Sequence, residues 1–429
     1  MNNDLPRVLV ISSSTFSKTN NNGKTLSSFF SDYDTDKIAQ FSFSNGEGNF
    51  DVCQKYYILS LGNVLKKTCG AEKILTEPEK TESVKIPEIN RGLKYMIFHH
   101  FSLKRYPFTV FLKNLLWERA DYSSAMRWIE SFNPEIVFFQ GFSMKYGYKF
   151  ALEVCKKFNV PMILELTDDY TEFLYKHSLL EKYNHKSYLK YFEESIRRAV
   201  KTIVISPKMK KEYESRFEGN FTVMMNSVAV EKINSEKKQK NELTDFVYAG
   251  NVLLNRWKVL KEFATALKKV NEKAILSIYT PDVPPEKILK EFSRTQNIHY
   301  GGSLTSRKLI ERINLCSAVV HVESFDKLNR KITRLSLSTK IPEYMSSGTL
   351  IVAIGPEDIS SMEYLKENGI AYCITENESD KIYSSVKKLY SPDFDRQKYI
   401  STAFELCRSY HSIEKNAEII KKLIIEACS

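Results

Sequence analysis

Short runs of four or five apolar residues alternate along this chain with longer stretches whose apolar positions recur every three or four residues. The first pattern predicts strands covered on both faces; the second predicts amphipathic helices. In the first half the strands fall at Val8–Ile11, Ile136–Gln140, Met162–Leu166 and Thr202–Ser206. The helices fall at Leu112–Phe132, Lys145–Phe158 and Tyr188–Val200. In the last of these, Leu189, Phe192 and Ile196 share one face. Residues 44–90 carry no clean period and predict strands with an irregular excursion. After Phe221–Asn226 comes a polar stretch, EKINSEKKQKNELTD at 231–245, which reads as a linker or long surface loop. Alternation then restarts, with strands at Phe246–Ala249, Ala274–Tyr279, Ile298–Tyr300, Ala318–Val322, Leu350–Ile354 and Ala371–Ile374. Helices lie between them at Trp257–Val270, Pro285–Arg294, Ser306–Leu315, Lys340–Ser347, Ser360–Asn368 and Ser379–Tyr390, and helical sequence runs from about Tyr399 to Ala427. Strands separated by helices build parallel sheets. The chain therefore reads as two consecutive doubly wound α/β domains, 1–225 and 226–410.

Length and composition agree. The 429 residues fit two or three domains, and 42% hydrophobic with 27% charged is ordinary globular usage. No run of 18 apolar residues predicts a membrane span, and the start MNNDLPRVLVISSS is too short in its apolar part for a secretory signal. A cytoplasmic protein is expected. The seven cysteines are scattered without a CxxC, and the histidines without an HExxH. Neither a disulfide framework nor a metal centre is expected.

Charge changes the picture in one place. Residues 1–240 hold 36 Lys and Arg against 28 Asp and Glu, and much of the excess lies between Arg91 and Arg127. There Arg91, Lys94, Lys104, Arg105, Lys113, Arg119 and Arg127 stand against Glu118 and Asp121, interleaved with Tyr95, Phe98, Phe101, Tyr106, Phe108, Phe111 and Trp117. Such a stretch is either a solvated helix face or a docking surface for an anionic membrane. Nucleic acid is disfavoured because no recognised module accompanies it.

Doubly wound sheets bind ligands at the carboxyl ends of their strands, so the segments just after each strand carry the candidate chemistry. After the first strand, Asn20-Asn21-Asn22-Gly23 reads as a turn opening a helix near Lys24. Gly23 would let backbone approach an anion there, or the segment is a plain loop. After Met162–Leu166 comes Thr167-Asp168-Asp169-Tyr170, whose acids either meet sugar hydroxyls and serve as a base or cap a helix. After FVYA comes Gly250-Asn251, with Arg256 and Lys258 six and eight residues past the glycine. A glycine turn with Arg and Lys near a helix start suits a diphosphate, though surface cations are common. The densest segment is SLSTKIPEYMSSGTLIVAIGP, 336–356. Ser338 or Thr339 would cap a short helix from Lys340, which adds a full positive charge, and Glu343 one turn along could accept two hydroxyl hydrogen bonds from a ribose.

That segment resembles the donor-site signature of bacterial GT-B glycosyltransferases of the family-4-like set (group 1). The resemblance extends in order through FVYAGNVLLNRWK, VVHVESFD with His321 and Glu323, PEIVFFQGF, TDDY and the Asn22-Gly23 turn, so it covers most of the chain. It implies two Rossmann-like domains facing across a cleft, with the helix at 411–429 returning to pack on the N-terminal, acceptor-side domain. It implies donor binding in the C-terminal domain by Gly250, Asn251, Arg256, Lys258, Ser338, Thr339, Lys340 and Glu343, with Asn22 and Gly23 approaching the same ligand. Asp168 and Asp169 fall on the acceptor side. The catalytic set is then Asp168, Arg256, Lys340 and Glu343, with no metal and no cofactor beyond the co-substrate. The departure is at Leu335, where the first of the family's two glutamates would stand, separated by seven residues from the second at Glu343.

The expected activity is transfer of a sugar from a nucleotide diphosphate sugar, a UDP-sugar foremost, to a saccharide or polyprenyl-diphosphate-linked acceptor in bacterial surface polysaccharide synthesis. Retention of configuration and peripheral attachment to the inner face of the plasma membrane go with it. Two other readings compete: a nucleotide-sugar epimerase of the same architecture, using Asp168, Asp169, His321 and Glu323, and a non-catalytic membrane- or sugar-binding partner. A dinucleotide dehydrogenase is disfavoured by the absence of GxGxxG.

Overall fold

The computed structural model describes residues 5–18, 21–44, 46, 48–66, 70–73, 107–171, 178–230 and 242–429. Most of the predicted linker, the excursion beyond residue 73 and the basic stretch before residue 107 lie outside them. The chain divides into two compact units, Met1–Met224 with Ile413–Ser429, and Met225–Ser412.

Unit 1 is built on an eight-stranded sheet. Its strands are β1 (Val8–Ser12), β2 (Ile38–Ser42), β3 (Lys55–Ile58), β4 (Ala71–Lys73), β5 (Ile136–Gln140), β6 (Met162–Leu166), β7 (Lys201–Val204) and β8 (Phe221–Val223). Their order is β4-β3-β2-β1-β5-β6-β7-β8, parallel throughout except for β4 against β3. The central strands are buried along their whole length, as expected when helices cover both faces. Around them run α1 (Asn21–Phe29), α2 (Leu61–Lys66), α3 (107–118), α4 (Ser123–Phe132), α5 (Lys145–Phe158), α6 (Leu179–Arg198) and α7 (Pro207–Arg216). Val8, Val10, Phe29, Phe30, Phe138 and Ile163 form one core with Ile420 and Ile424 of the C-terminal helix.

Unit 2 carries six parallel strands: β9 (Asp245–Ala249), β10 (Ile275–Tyr279), β11 (Ile298–Gly302), β12 (Ala318–Val322), β13 (Leu350–Ile354) and β14 (Tyr372–Ile374). Their order is β11-β10-β9-β12-β13-β14, so the chain reverses its winding between β9 and β12. The helices are α8 (Arg256–Val270), α9 (Glu286–Ser293), α10 (Ser306–Leu315), α11 (Lys327–Thr333), α12 (Ile341–Ser346), α13 (Ser360–Glu367), α14 (Ser379–Leu389) and α15 (Arg396–Tyr410). Phe246, Leu260, Phe263, Leu276, Val320 and Val352 are central to its core.

Two predicted helices are each two. The one expected over Leu112–Phe132 breaks at Ala120–Tyr122, where the Asp121 carboxylate accepts from Ser123 N at 2.8 Å and starts α4 afresh. The C-terminal helical run breaks at His411-Ser412 into α15 and α16 (Ile413–Cys428). His411 is buried there, its Nδ1 2.8 Å from Asn226 O and its Nε2 2.8 Å from the Tyr364 hydroxyl, and Val228 N donates to His411 O. These bonds hold the backbone out of helix.

Candidate functional site

The reversal between β9 and β12 is the point at which a doubly wound sheet opens a crevice at its carboxyl edge. Residues 250–255 leave β9 there. Tyr248 donates to Asn251 O at 2.7 Å, and Asn251 Oδ1 accepts from Leu253 N at 2.6 Å, so the Asn251 side chain is spent on its own turn. At Gly250 a Cβ would lie 3.1 Å from the Tyr248 hydroxyl oxygen, a tight contact that would push on the side chain bonded to Asn251 O. Leu254 and Asn255 both have positive φ, 56° and 62°, a costly conformation for leucine. Asn329 of α11 fixes it by donating to Leu254 O at 2.8 Å. The turn delivers Arg256 as the first residue of α8.

Arg256 crosses to the neighbouring strand's end. Its Nη2 donates to Glu323 Oε2 at 2.8 Å, with the two side chains 20% and 5% exposed. The other carboxylate oxygen accepts from Ser361 of α13 at 3.3 Å, and His321 Nε2 lies 3.1 Å from the same serine hydroxyl. Burial lowers the Arg256 pKa, but the Glu323 charge outweighs it and the net shift is upward. His321 is held down to about 4, first by burial and then by Arg256, against the opposing pull of Glu323. It is neutral at pH 7. Lys258 is exposed, with its ammonium 5.7 Å over the Trp257 ring.

The 336–356 segment sits at the same edge. The Tyr344 hydroxyl donates to Ala249 O at 3.0 Å, which ties α12 to the end of β9. Lys340 and Glu343 form an ion pair at 3.6 Å, partly open to solvent. The expected helix cap is different, however. Helix α12 has only six residues, Lys340 occupies the cap position, and no side chain caps it. Ser338 serves the turn before it instead, accepting from Lys340 N through its hydroxyl and from Ile341 N through its carbonyl. Pro342 removes one further donor. The amide-rich helix end predicted for an anion is therefore largely used up, and the positive charge here is that of Lys340. Thr339 is exposed beside it, and Leu335 is buried.

In unit 1 the candidates follow β1 and β6, with β5 between them. Helix α1 starts at Asn21, so Asn22 and Gly23 stand in its first turn and not in a turn ahead of it. A side chain at Gly23 would strike Thr15 O and Ser17 Cβ, and Ser17 N donates to Gly23 O at 3.2 Å. The close approach this glycine permits is to the chain's own 15–17 segment. No helix starts at Tyr170. Asp169 accepts from Thr171 N at 3.0 Å and from the Tyr213 hydroxyl at 2.8 Å, with Arg216 at 3.6 Å. Its buried carboxylate thus anchors α7, whereas Asp168 beside it is exposed. Glu165, one residue from the end of β6, is buried with Gln140 donating to it at 2.7 Å. Burial pushes its carboxyl up to about 7, the Gln140 bond opposing.

Sequence reasoning brought Gly250, Asn251, Arg256, Ser338, Thr339, Lys340 and Glu343 to one sheet edge. It named His321 and Glu323 but not their link to Arg256, and it did not find Ser361 or Asn329. Asn329 was findable through its helix: Asp326 before Leu328 and Ile332 is a cap-and-spacing signal, and Asp326 does accept from Leu328 N and Asn329 N.

No family model matches the chain, and no curated protein matches its sequence. Solved structures do match. HepE of Anabaena, in complex with UDP, aligns at a TM-score of 0.63 with 11% identity, over 98% of this chain and 100% of that one. Sucrose-phosphate synthase from Thermosynechococcus elongatus aligns at 0.61 with 7% identity, covering 98% of each. The lipopolysaccharide outer core galactosyltransferase WaaB aligns at 0.58 with 13% identity, covering 96% of this chain and 98% of the other. At these identities the likeness is one of fold, and the fold is GT-B.

Proposed function

We propose that the chain is a glycosyltransferase that moves a sugar from a nucleotide diphosphate sugar to a saccharide or lipid-linked saccharide acceptor in bacterial surface polysaccharide synthesis. The observation that carries it is the convergence, at the reversal point of the unit 2 sheet, of a fixed guanidinium and the Lys340–Glu343 pair. Cations held at a strand edge suit a diphosphate, and a carboxylate one turn along suits a ribose diol. Similar structures of Anabaena HepE hold UDP and UDP-glucose, which favours UDP as the nucleotide. WaaB acts in the lipopolysaccharide outer core, which favours a surface-glycan acceptor.

In this reading Arg256 and Lys340 stabilise the departing diphosphate, with Lys258 and the Gly250-Asn251 and Ser338-Thr339 backbones around it. Glu343 holds the ribose. Asp168, exposed and adjacent to the Asp169 anchor, meets the acceptor. With Leu335 apolar, retention proceeds by front-face attack, the leaving phosphate taking the acceptor's proton, and no metal is needed. Surface residues support a site of action at the membrane. Phe108 and Leu112 on α3 and Leu179 and Tyr183 on α6 are exposed large apolar side chains. The two helices touch through Phe111 and Tyr183, rings 6.1 Å apart, and Lys182 and Lys186 are exposed alongside. That mixture suits the inner face of the plasma membrane, although no helix among the described residues is long and apolar enough to cross a bilayer.

The test is release of the leaving nucleotide (UDP, GDP or CMP) from UDP-, GDP- and CMP-sugars, with and without acceptor, in EDTA and with Mg²⁺. Acceptor-dependent UDP release that survives EDTA is expected. Release that needs Mg²⁺ or Mn²⁺ would overturn metal independence, and an altered sugar without release would point to an epimerase.

A further inference from the structure

Glu323 has no role in the chemistry above, yet it is among the most constrained charged groups in unit 2. It is buried, its backbone N–H donates to Ile354 O at 2.8 Å, and a Cβ on Gly355 would come within 2.8 Å of its own Cβ. One carboxylate oxygen takes Arg256 Nη2; the other takes Ser361, with His321 Nε2 3.5 Å away. Arg256 Nε is buried without a hydrogen-bond partner. Burying an ion pair does not by itself favour folding, because desolvation of both charges offsets their attraction. A long arginine side chain left to itself also spreads over many rotamers, which a ligand must then freeze out.

We propose that Glu323 is a positioning residue. It grips Arg256 by one amino group and so presents the remaining Nη N–H groups of the guanidinium to the donor diphosphate, while Ser361, with His321 beside it, holds the second carboxylate oxygen in place. The proposal rests on the donor-site reading and assigns a supporting shell to it. It also makes a choice between two physical effects of opposite sign. As a bare negative charge near a diphosphate, Glu323 would weaken nucleotide binding, and its removal would tighten it. As a positioning group, its removal loosens Arg256 and weakens binding.

The measurement is calorimetric binding of UDP and of uridine to the intact chain and to Arg256→Ala, Glu323→Ala, Glu323→Gln, Ser361→Ala and the Arg256→Ala/Glu323→Ala double variant, each checked for its melting temperature. Arg256→Ala should weaken UDP roughly 10- to 100-fold, the scale of one or two charge-assisted hydrogen bonds, and leave uridine unchanged. Glu323→Ala should weaken UDP on the same scale, with uridine again unchanged. The double variant should be no worse than Arg256→Ala alone, because a positioner has nothing to position once the arginine is gone. Glu323→Gln keeps the shape and an acceptor and should lose less than the alanine variant. Ser361→Ala should weaken UDP slightly. UDP binding that is unchanged or tighter in both Glu323 variants, while Arg256→Ala weakens it, overturns the positioning role and leaves the donor site standing. Wild-type UDP affinity in Arg256→Ala overturns the donor site itself, and the positioning role with it. Should Glu323→Ala fail to fold, Glu323→Gln and Ser361→Ala decide between the same outcomes.

Discussion

Glu165 and His321 are both buried where water cannot stabilise their charge, and burial moves their titrations in opposite directions. The Glu165 carboxyl rises from 4.5 to about 7 in the folded chain. Between those values the folded state holds a proton that the unfolded state has lost, so this residue's contribution to stability falls as pH rises through that window. His321 drops from 6.5 to about 4, so the unfolded state takes up the extra proton and stability falls as pH drops through that lower window. Buried His411 is shifted the same way, by burial against its Asn226 bond. Glu165→Gln abolishes the first effect. It should stabilise the chain at pH 8 by on the order of 3 kcal/mol, and by much less at pH 5. Urea unfolding at the two pH values measures this; an equal effect at both would mean the carboxyl titrates normally. Residue identity was enough to single out Arg256, Lys340 and Glu343, because each has a motif neighbour within a few positions. It could not disclose the grip of Glu323 on Arg256, which joins residues 67 apart through the adjacency of β9 and β12.

Elements were legible where a continuous apolar run met a clean boundary. β5, β6, β12, β13, α5 and α10 fall on the predicted residues. β2 escaped notice because Gln40 interrupts its apolar run. That side chain is nonetheless buried, accepting from Phe16 N at 2.8 Å and donating to Ser12 Oγ at 2.9 Å and to Ser14 O at 3.1 Å. The polar residue closes the loop after β1, a contact no local pattern announces. α7 escaped because its lysines mask its face, although Ser206 followed by Pro207 is a readable start and Ser206 does cap the helix. For α3 and α6, exposed apolar side chains beside lysines predict binding to phosphatidylglycerol vesicles but not to phosphatidylcholine ones. Each basic residue near an anionic surface contributes about 1 kcal/mol, so reversing Lys182 and Lys186 to Glu should weaken co-sedimentation roughly 10- to 1000-fold. Binding that ignores both salt and this double reversal would exclude an electrostatic membrane surface there.

At the scale of the molecule, the chain makes two doubly wound sheets, and its last helix, α16, belongs to the first unit. Ile420 and Ile424 lie in the core with Val10, Phe138 and Ile163. The helical period alone continues through residues 411–412; the return of the chain from there was implied by the family resemblance and not by the periodicity. Architecture was legible because alternation of strand and helix is a global pattern; donor, acceptor and linkage are set by a few side chains and loops. The claim that joins these scales is that the edge of the unit 2 sheet holds a nucleotide sugar by its ribose through Glu343. Turnover of the donor by wild type, Glu343→Ala and Glu343→Gln tests it most directly. Two charge-assisted hydrogen bonds contribute about 1.5–3 kcal/mol each, and water recovers part of that loss. Glu343→Ala should therefore lower kcat/KM roughly 30- to 1000-fold, and Glu343→Gln less, with the melting temperature nearly unchanged. Wild-type turnover in Glu343→Ala, or a lowered melting temperature with turnover intact, would contradict the assignment of this edge as the donor site.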